Sequence, residues 1–591
     1  MASFEIRSPP TRELTGGDLL AQSLQALNVQ DIFGLHGGHL DAFLMGCEFI
    51  GIRLIDTRHE TVAVQAAEGY SKVTGKVGTC FVTANSGNGL PGLATAFADR
   101  SSIVCITSSP PLSDLENNSL QGSIDQVVVS TPLTKFAHRI CHPEDIPRIV
   151  SKAFRTAISG PPGPVLLDFP IDVLFSPVHT SRISWGSITS PLPYLPGPHS
   201  EAVKEAVNLL REAKRPVIIT GTGARAEKDR QNLLQFVEKT RTPLFSSPKY
   251  SGSVHLSHEL HGGRASNLIA LPKLGLPSPD LIILLGARTG MYLGGRSGAI
   301  IPKIGCKVIQ VDIDGSEIGR TLPADLGIVS DVGQAVMALN AAIAESEIQA
   351  SEEWVKAATS IKSLPSPYEG APKEVDGRPH PYHAMSQLFK SLEPGAIVCT
   401  DGGECGSWAG MVAHFAEPST VIASVGYLGF LGNGFGYALG CAIGAPDRQI
   451  INIQGDGSAG FHFMELDTYA RFKLNIMTVV ANNYCWGMSS NGQELIYGSK
   501  TPARPVSSLS PMTAYETVAK GLANESARVD NIDEIESTVK RLSSTPGPSC
   551  INLIISNQPT HPATEAMVSM SDDPNVIVVP YYDNLPRAYY K

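Results

Sequence analysis

The chain has 591 residues, of which 42% are hydrophobic, and it carries a formal net charge of −10 at pH 7. At roughly 150 residues per domain, this length predicts about four domains, or three larger ones. Lysine and arginine form no run along the chain, so the acidic balance argues against nucleic acid and against an anionic membrane surface as partners.

Cysteine spacing and the chain start both point to a cytoplasmic protein. The ten cysteines are scattered without a CxxC pair or a zinc-type cluster, which indicates buried, reduced thiols. The first residues lack the basic and apolar stretches of a secretion signal. No apolar run reaches the roughly 18 residues that a membrane-spanning helix needs. We therefore expect a cytoplasmic protein with no membrane partner.

Two segments rich in proline, serine and glycine, residues 190–200 and 363–381, are typical of linkers. They divide the chain into three blocks, and in each block short β-branched runs alternate with helical patterns, which predicts parallel sheets covered by helices. The predicted fold class is therefore α/β, with three doubly wound parallel-sheet domains. The C-terminal tail is either an ordered lid or a frayed terminus. The predicted domains cover residues 12–189, 201–362 and 382–557, and the tail covers 558–591.

In the first block, an acidic residue stands where a strand meets a helix. The run LIDTRHE ends at Glu60 and is followed by an apolar helical pattern over residues 61–75. Taken alone, Thr57 and Glu60 have the spacing of a helix capping box, which favours a structural role. A functional role is the alternative, because a glutamate in apolar surroundings has a raised pKa and can share a proton.

The middle block contains a glycine loop, GTGAR, which follows a strand and spans residues 221–225. A dinucleotide fingerprint of the form GxGxxG would need a third glycine, and the chain has Ala226 and Glu227 in that region. We therefore interpret the middle block as structural. A nucleotide bound at this sheet edge is the alternative.

The third block holds the sharpest motif. The segment GDGS, residues 455–458, follows the apolar strand IINIQ and precedes a helical pattern over residues 461–472. Asn483 closes the next apolar strand, so a strand–helix–strand unit would bring Asp456 and Asn483 to one edge of the sheet. Their oxygen atoms suit Mg²⁺, and the glycines would let backbone amides approach a diphosphate.

The GDGS segment followed by two asparagines resembles the signature of thiamine-diphosphate enzymes. The stretches RHE, AAEGYSKVTGK and TANSGNGLPGLATAFADR resemble the pyrimidine-binding domain of the same superfamily. Within it, the chain is most similar to the benzaldehyde lyase family, over nearly its whole length. Distinctive stretches are FGLHGGHLDAF, SLQGSIDQV, VIQVDIDGSEIGR, GYLGFLGNGFG and NNYCWG. The resemblance implies thiamine diphosphate and Mg²⁺ as cofactors and no flavin.

The resemblance also implies catalytic roles. Glu60 would lie against the aminopyrimidine ring as the acid that activates the cofactor. His39 and Gln121 would face the reacting carbons as proton relay and hydrogen-bond donor. His36, three residues before His39, is as readily structural as catalytic.

Further residues would bind the cofactor and the metal. Leu431 would support the bent conformation of the cofactor, and Gly402 and Gly429 would offer backbone groups to the aminopyrimidine. The full cofactor set implied is Glu60, Gly402, Gly429, Leu431, Gly455, Gly457 and Ser458. The metal would be held by Asp456, Asn483 and the backbone carbonyl of Cys485.

The implied function is a thiamine-diphosphate-dependent lyase or carboligase that cleaves or forms 2-hydroxy ketones (acyloins) from small carbonyl compounds. Gly406 and Val425 stand where the family has a pocket tyrosine and histidine, which argues against benzaldehyde as the preferred substrate. The motif segments that contain Gly406, Val425, His39 and Gln121 hold no lysine or arginine that could bind a carboxylate. This favours neutral hydroxy ketones over 2-oxo acids as substrates.

Several alternatives stay open. Three are enzymes with the same cofactor: a 2-oxo acid decarboxylase, an acetolactate-synthase-like condensing enzyme and a 2-hydroxyacyl-CoA lyase. A non-catalytic paralogue is a fourth, although the acidic and amide positions of the motifs are intact. The resemblance further implies a homodimer or homotetramer with active sites at the interface.

Overall fold

The structure is a computed structural model, and the part of the chain that it describes falls into two units, divided between residues 193 and 194. No helix of the described residues is long and apolar enough to cross a bilayer. Much of the predicted linker 190–200 and of the C-terminal tail lies outside these residues. The described residues are 13–84, 86–114, 116–117, 119–122, 124–183, 185–188, 195–224, 229–343, 348–416, 420–498, 504–568, 575–577 and 585–586.

The first unit is built on one six-stranded sheet. Its strands are β1 (Asp31–Gly34), β2 (Arg53–Asp56), β3 (Gly78–Phe81), β4 (Ile103–Ser109), β5 (Phe136–Arg139) and β6 (Pro164–Pro170). Its helices are α1 (Gly16–Ala26), α2 (Asp41–Ile50), α3 (Glu60–Thr74), α4 (Leu90–Ala98), α5 (Gln126–Ser130), α6 (Ile146–Ile158) and α7 (Ile171–Phe175). The strand order is β2-β1-β3-β4-β6-β5, with parallel pairing throughout. Its core is formed by β-branched and leucine side chains of these strands and of helices α1 and α6.

Helix α3 begins at Glu60 and is buried along most of its length. Its N-cap is His59, whose Nδ1 accepts a hydrogen bond from the Thr61 amide at 3.1 Å. Gly75 ends the helix with a φ of 71°, a conformation that glycine adopts readily. The capping-box interpretation of Thr57 and Glu60 is therefore wrong, because the cap lies at His59. The Thr57 hydroxyl instead donates to the carbonyl oxygen of His59 at 3.0 Å.

A buried cluster of charges holds helix α3 against the rest of the first unit. The Lys72 ammonium lies 3.1 Å from Glu68 Oε1 and 3.3 Å from Asp99 Oδ2, and these three side chains are almost fully buried. The Ser101 hydroxyl donates to Glu68 Oε1 at 2.8 Å. Since the Lys72 ammonium contacts two buried carboxylates, its charge stabilises the cluster.

We predict that Lys72→Met destabilises the protein by about 3–5 kcal/mol, because it removes a buried ammonium that contacts two buried carboxylates. The matched control is Lys204→Met, whose ion pair with Glu201 is largely exposed. That variant should change stability by less than about 1 kcal/mol. Urea unfolding followed by circular dichroism measures both. Equal stability of the two variants would contradict the proposed role of the cluster.

The second unit contains two larger sheets and two short hairpins. Its strands are β7 (Pro216–Thr220), β8 (Leu244–Ser246), β9 (Tyr250–Ser251), β10 (His261–Arg264), β11 (Leu281–Leu285), β12 (Lys307–Asp312), β13 (Leu326–Val329), β14 (Glu374–Val375), β15 (Arg378–Pro379), β16 (Ile397–Thr400), β17 (Thr420–Ala423), β18 (Ile450–Gly455), β19 (Ile476–Asn482), β20 (Glu525–Val529), β21 (Ser549–Ile554), β22 (Val576–Ile577) and β23 (Leu585–Pro586). The order of the first sheet is β10-β8-β7-β11-β12-β13, and that of the second is β20-β21-β19-β18-β16-β17-β9.

Helices cover both of these sheets. They are α8 (Ser200–Glu212), α9 (Arg230–Thr240), α10 (Ala270–Lys273), α11 (Val332–Ala342), α12 (Glu352–Ser360), α13 (Pro381–Lys390), α14 (Glu404–Met411), α15 (Asn433–Gly444), α16 (Asp456–His462), α17 (Leu466–Arg471), α18 (Gly487–Tyr497), α19 (Tyr515–Gly521), α20 (Ile535–Ser543) and α21 (Pro562–Met567). The predicted α/β fold with three doubly wound sheets is confirmed. The predicted bounds of the domains stay predictions.

Two local features differ from the sequence-based expectation. The seven-stranded sheet is not wholly parallel, because β9 pairs antiparallel with β17 at its edge. This strand comes from the predicted middle block, so that block contributes to the sheet of the third. The helix after the GDGS motif begins at Asp456 itself rather than near residue 461, and a short 3-10 turn at Phe463–Glu465 separates it from α17.

The glycine loop of the middle block has a packing explanation. A Cβ added at Gly221 would lie 2.3 Å from the carbonyl oxygen of Gly286, and one added at Gly223 would lie 2.8 Å from its Cα. Two backbone turns therefore meet here with no space for side chains, which supports the structural interpretation of the block. Residues 225–227 of the motif region lie outside the described residues.

Candidate active site

The carboxyl ends of β18 and β19 form one edge of the seven-stranded sheet. The two strands are parallel neighbours with Gly455 opposite Ala481, so Asp456 and Asn483 follow at the same edge. A cavity of about 560 Å³, hereafter the larger cavity, opens at this edge. All the site residues predicted in the third block line it, namely Gly402, Gly429, Leu431, Gly455, Asp456, Gly457, Ser458, Asn483 and Cys485.

Asp456 is a buried carboxylate at the first position of α16, with 4% of its surface exposed. Burial raises the pKa of Asp456 to about 7, although backbone amides of Gly457, Tyr484 and Cys485 hydrogen-bond to the carboxylate and act in the opposite direction. Among the described residues, no basic side chain pairs with it. A buried carboxylate that lacks a cation and is met by backbone amides fits a site for a metal ion.

Asn483 and Cys485 complete the predicted metal-binding set. The Cys485 amide donates to Asn483 Oδ1 at 3.3 Å, and the intervening Tyr484 has a positive φ of 61°. This tight turn brings the backbone after β19 close to Asp456. The described part of the chain has no cluster of three or more His, Cys, Asp or Glu side chains suited to a metal. A metal at this turn would therefore rely on one carboxylate together with amide and carbonyl oxygens.

The loop after β16 is organised by Asp401, a residue that sequence reasoning missed. Its fully buried carboxylate accepts hydrogen bonds from the amides of Gly402, at 2.6 Å, and Gly434, at 2.7 Å. Burial raises the pKa of Asp401, and these amides oppose the rise. Gly402 has a φ of 89°, which favours glycine, and an added Cβ would lie 3.2 Å from the Gly455 amide nitrogen. Asp401 thus fixes a glycine turn directly beside the GDGS segment.

The segment between β17 and α15 forms another wall of the larger cavity. Gly429 and Gly432 have φ values of 71° and 88°, so the chain turns sharply on both sides of the half-buried Leu431. The Asn433 side chain anchors the turn, since its amide donates to the carbonyl oxygen of Ser424 at 2.8 Å. Leu431 is therefore held on a rigid support, as a residue that supports a bent cofactor must be. Val425 and Gly406 line the same cavity.

Glu404 is a second acidic residue that sequence reasoning missed. It opens α14 and is 5% exposed. Asn491 Nδ2 donates to its Oε2 at 2.7 Å, and the His561 amide donates to its Oε1 at 3.2 Å. Burial raises the pKa of Glu404, and these partners oppose the rise. Its place directly after two glycines at a strand end was the available signal in the sequence.

Arg264 is the third residue that sequence reasoning missed. It ends β10 and is the one lysine or arginine among the described residues that line the larger cavity. Its sequence context, HGGRAS, matches no motif of the predicted site. The fold brings it to the cavity from about 190 positions before the GDGS segment, which no local pattern indicates.

The remaining predicted residues belong to the first unit. Glu60 is 7% exposed and follows β2. His39 follows β1 within a short 3-10 turn, and Gln121 follows β4 with a strained φ of 63°. These strands are parallel and lie in the order β2-β1-β3-β4. All three residues therefore come after the carboxyl ends of strands, which form one edge of the sheet. Partial burial lowers the pKa of His39, so its ring is neutral at pH 7.

His36 has a structural partner. Its Nε2 lies 2.9 Å from Asp41 Oδ1 at the exposed start of α2. This contact favours the structural interpretation that the sequence left open for His36.

Comparison with known proteins agrees with this arrangement. Three family models match the chain: the N-terminal TPP binding domain of thiamine pyrophosphate enzymes at residues 14–129, their central domain at 203–339, and their C-terminal TPP binding domain at 401–553. These regions contain the candidate residues of both units. His561, at the start of α21, lies after them. Thiamine pyrophosphate is another name for thiamine diphosphate.

Individual relatives extend over most of the chain. The acetolactate synthase large subunit of Mycobacterium tuberculosis is 31% identical over 94% of this chain and 98% of its own length. That of Corynebacterium glutamicum is 31% identical over 90% and 86% of the two chains. The 2-hydroxyacyl-CoA lyase 2 of Caenorhabditis elegans is 30% identical over 87% and 84%. Since family models of all three domains match it and relatives align over most of its length, the chain belongs to the thiamine pyrophosphate enzyme family.

Proposed function

We propose that this protein is a thiamine-diphosphate- and Mg²⁺-dependent carboligase that transfers the acyl unit of a 2-oxo acid to a second carbonyl compound. This is the type of reaction suggested by relatives named acetolactate synthase. The observation that carries the choice of substrate is Arg264, a cationic side chain in the wall of the larger cavity.

The residues around the larger cavity fit the cofactor. Asp456, Asn483 and the Cys485 carbonyl would bind Mg²⁺, which neutralises a diphosphate and takes oxygen ligands. Gly455, Gly457 and Ser458 would border the diphosphate, Gly402 and Gly429 would offer backbone groups to the pyrimidine, and Leu431 would support the bend. When bound, thiamine diphosphate supplies a carbon nucleophile that attacks carbonyl groups.

The proposed acid–base chemistry belongs to residues of the first unit. Glu60 begins a helix that is buried along most of its length, and it would act as the acid against the aminopyrimidine ring. His39 is neutral at pH 7 because burial lowers its pKa, so it can accept a proton from a substrate hydroxyl and return it. Gln121 would donate a hydrogen bond to a substrate oxygen. The proposed assembly is a homodimer or homotetramer, as the family resemblance implies.

Arg264 changes the preferred substrate. The motif segments contain no cation, and on that basis the sequence favours neutral hydroxy ketones. Arg264 comes to the wall of the larger cavity from a different segment, and a guanidinium binds carboxylates in a directed, bidentate manner. A substrate with a carboxylate, such as a 2-oxo acid, therefore suits the cavity better than a neutral acyloin. Acyloin cleavage becomes the alternative reaction.

The substrate class can be tested on the enzyme loaded with thiamine diphosphate and Mg²⁺. We expect kcat/KM to be at least about tenfold higher for pyruvate than for acetoin, a difference of ~1.4 kcal/mol in transition-state stabilisation. Carbon dioxide and a hydroxy keto product should appear together, because the carboxylate leaves as the acyl unit is transferred. Faster cleavage of acetoin, or a requirement for a CoA thioester, would overturn this assignment and leave the cofactor proposal in place.

The role of Glu60 is tested by Glu60→Gln. We expect the variant to bind thiamine diphosphate normally and to lose activity by about 10²–10⁴-fold, because an amide cannot exchange the required proton. Glu48→Gln is the control, since that glutamate lies on an exposed part of α2. Steady-state kinetics and calorimetry of cofactor binding measure the two effects separately. A fully active Glu60→Gln enzyme would refute the assignment.

The metal site is tested by Asp456→Asn, which keeps the shape of the side chain and removes its charge. We expect Mg²⁺-dependent binding of thiamine diphosphate to weaken at least about tenfold, because the metal loses its one carboxylate ligand. Asp467→Asn is the control, since Asp467 forms a partly exposed pair with Arg471. Calorimetric titration with and without Mg²⁺ gives the result. Unchanged affinity in Asp456→Asn would locate the metal elsewhere.

A further inference from the structure

A second cavity of about 190 Å³, hereafter the smaller cavity, lies in the second unit. It is bordered by the segment after β10, by helix α14 and by the start of α21. Arg264 and Ser407 line both cavities, so the two share a wall. The titratable side chains that line the smaller cavity are all basic: Arg264, Lys362, His414 and His561.

The guanidinium of Arg264 has no ion pair or hydrogen bond with any described residue. Burial lowers the pKa of Arg264 to about 10, so the group stays charged at neutral pH. Part of the side chain keeps accessible surface, as expected for a group that borders two cavities. Buried arginines in proteins are almost always paired, because an unpaired charge loses much of its hydration. The missing partner therefore points to an anion that is not among the described residues.

Helix α14 is shaped to receive this guanidinium. A Cβ added at Gly410 would lie 2.1 Å from Arg264 Nη1 and 2.3 Å from its Nη2. A glycine within a helix costs about 1 kcal/mol relative to alanine. The absence of a side chain at Gly410 thus leaves the space that the guanidinium occupies. Arg264 therefore packs directly against helix α14.

His561 contributes a second donor without an acceptor. Its Nδ1 accepts a hydrogen bond from the Ala563 amide at 3.0 Å, so the hydrogen of the neutral ring is on Nε2. The residue is 7% exposed, and its Nε2 has no hydrogen-bond partner among the described residues. The ring also lies edge-on to Trp408, with the centroids 4.6 Å apart. An unmatched buried donor requires explanation, and a bound acceptor supplies it.

We propose that the smaller cavity is a binding site for a small oxyanion, a carboxylate or a phosphate, held by the guanidinium of Arg264 and the Nε2–H of His561. Both groups donate hydrogen bonds, and the described lining residues contain no carboxylate that could serve as acceptor. An oxyanion would satisfy the two donors and neutralise the buried charge. Its source is either the carboxylate of a substrate in the adjoining larger cavity or a free anion; only the first rests on the proposed function.

The test uses the full chain saturated with thiamine diphosphate and Mg²⁺, so that the cofactor site cannot capture the probe. Inorganic phosphate and acetate are titrated by calorimetry. Arg264→Met removes the charge, and His561→Asn removes Nε2 while asparagine can still cap helix α21. Arg528→Met is the control, because Arg528 lies in an exposed pair with Asp530. Thermal unfolding confirms that each variant is folded.

We expect the parent protein and Arg528→Met to bind at least one probe at a single site. Arg264→Met should weaken binding at least about tenfold and His561→Asn several-fold, as expected for hydrogen bonds to a charged ligand. Absence of saturable binding to the parent, or equal affinity in all four proteins, would overturn the proposal.

A kinetic measurement separates the two sources of the anion. If the site receives the substrate carboxylate, phosphate should raise KM for pyruvate and leave kcat unchanged. If it receives a free anion, phosphate should bind without raising KM. Anion binding by a protein that does not consume pyruvate would refute the proposed substrate and retain the site.

Discussion

The candidate site depends above all on one buried carboxylate at the end of a central strand. Asp456 follows β18, and burial raises its pKa to about 7 even though backbone amides hydrogen-bond to it. Folding therefore places an acceptor where hydration is lost and where no described basic side chain compensates. A divalent cation would restore the balance, and a diphosphate could then bind to a chain with no basic run. A bound metal ion would therefore compensate the buried charge of Asp456.

The surrounding loops are organised so that this carboxylate stays in place. Parallel pairing of β18 and β19 fixes Asn483 beside it, and the positive φ of Tyr484 turns the next backbone amides toward it. A second buried acid, Asp401, binds the amides of Gly402 and Gly434 and so rigidifies the neighbouring turn. Because both acids are satisfied by backbone rather than by cations, the sheet edge keeps its shape without neutralising the charge that a metal ion would need.

Sequence reasoning was effective where a motif coincides with a strand end. The GDGS and Asn-Asn segments, Glu60 and the glycine turns could be located at sheet edges because parallel strands dictate where their carboxyl ends lie, while their roles stay predictions. The superfamily is confirmed. The narrower resemblance to benzaldehyde lyase is not, since the relatives reported above are named acetolactate synthase and 2-hydroxyacyl-CoA lyase. The cap of α3 was misassigned because a histidine, an uncommon N-cap, took the place expected for threonine.

Long-range placement was beyond the sequence. Arg264 and His561 border one cavity although almost three hundred positions separate them, and neither stands in a motif of the site. Gly410 gave no signal either, since its absent side chain matters only once the guanidinium of Arg264 is placed against it. The antiparallel strand β9 was missed because two residues are too few to show a period. These failures share one cause, which is that the contacts are tertiary and carry no local pattern.

The charges around the larger cavity lead to a final argument about its substrate. Its described lining contains two acidic side chains, Asp456 and Glu404, and one cation, Arg264. Hydrogen bonds from Asn491 and from the His561 amide already satisfy Glu404, so that residue does not require the cation. With Mg²⁺ held between Asp456 and the diphosphate, Arg264 would still have no ion pair among the described residues. A neutral hydroxy ketone would leave that guanidinium desolvated, whereas the carboxylate of a 2-oxo acid would compensate it until carbon dioxide departs. After decarboxylation the guanidinium would again lack a counterion, which would favour binding of the next anionic substrate.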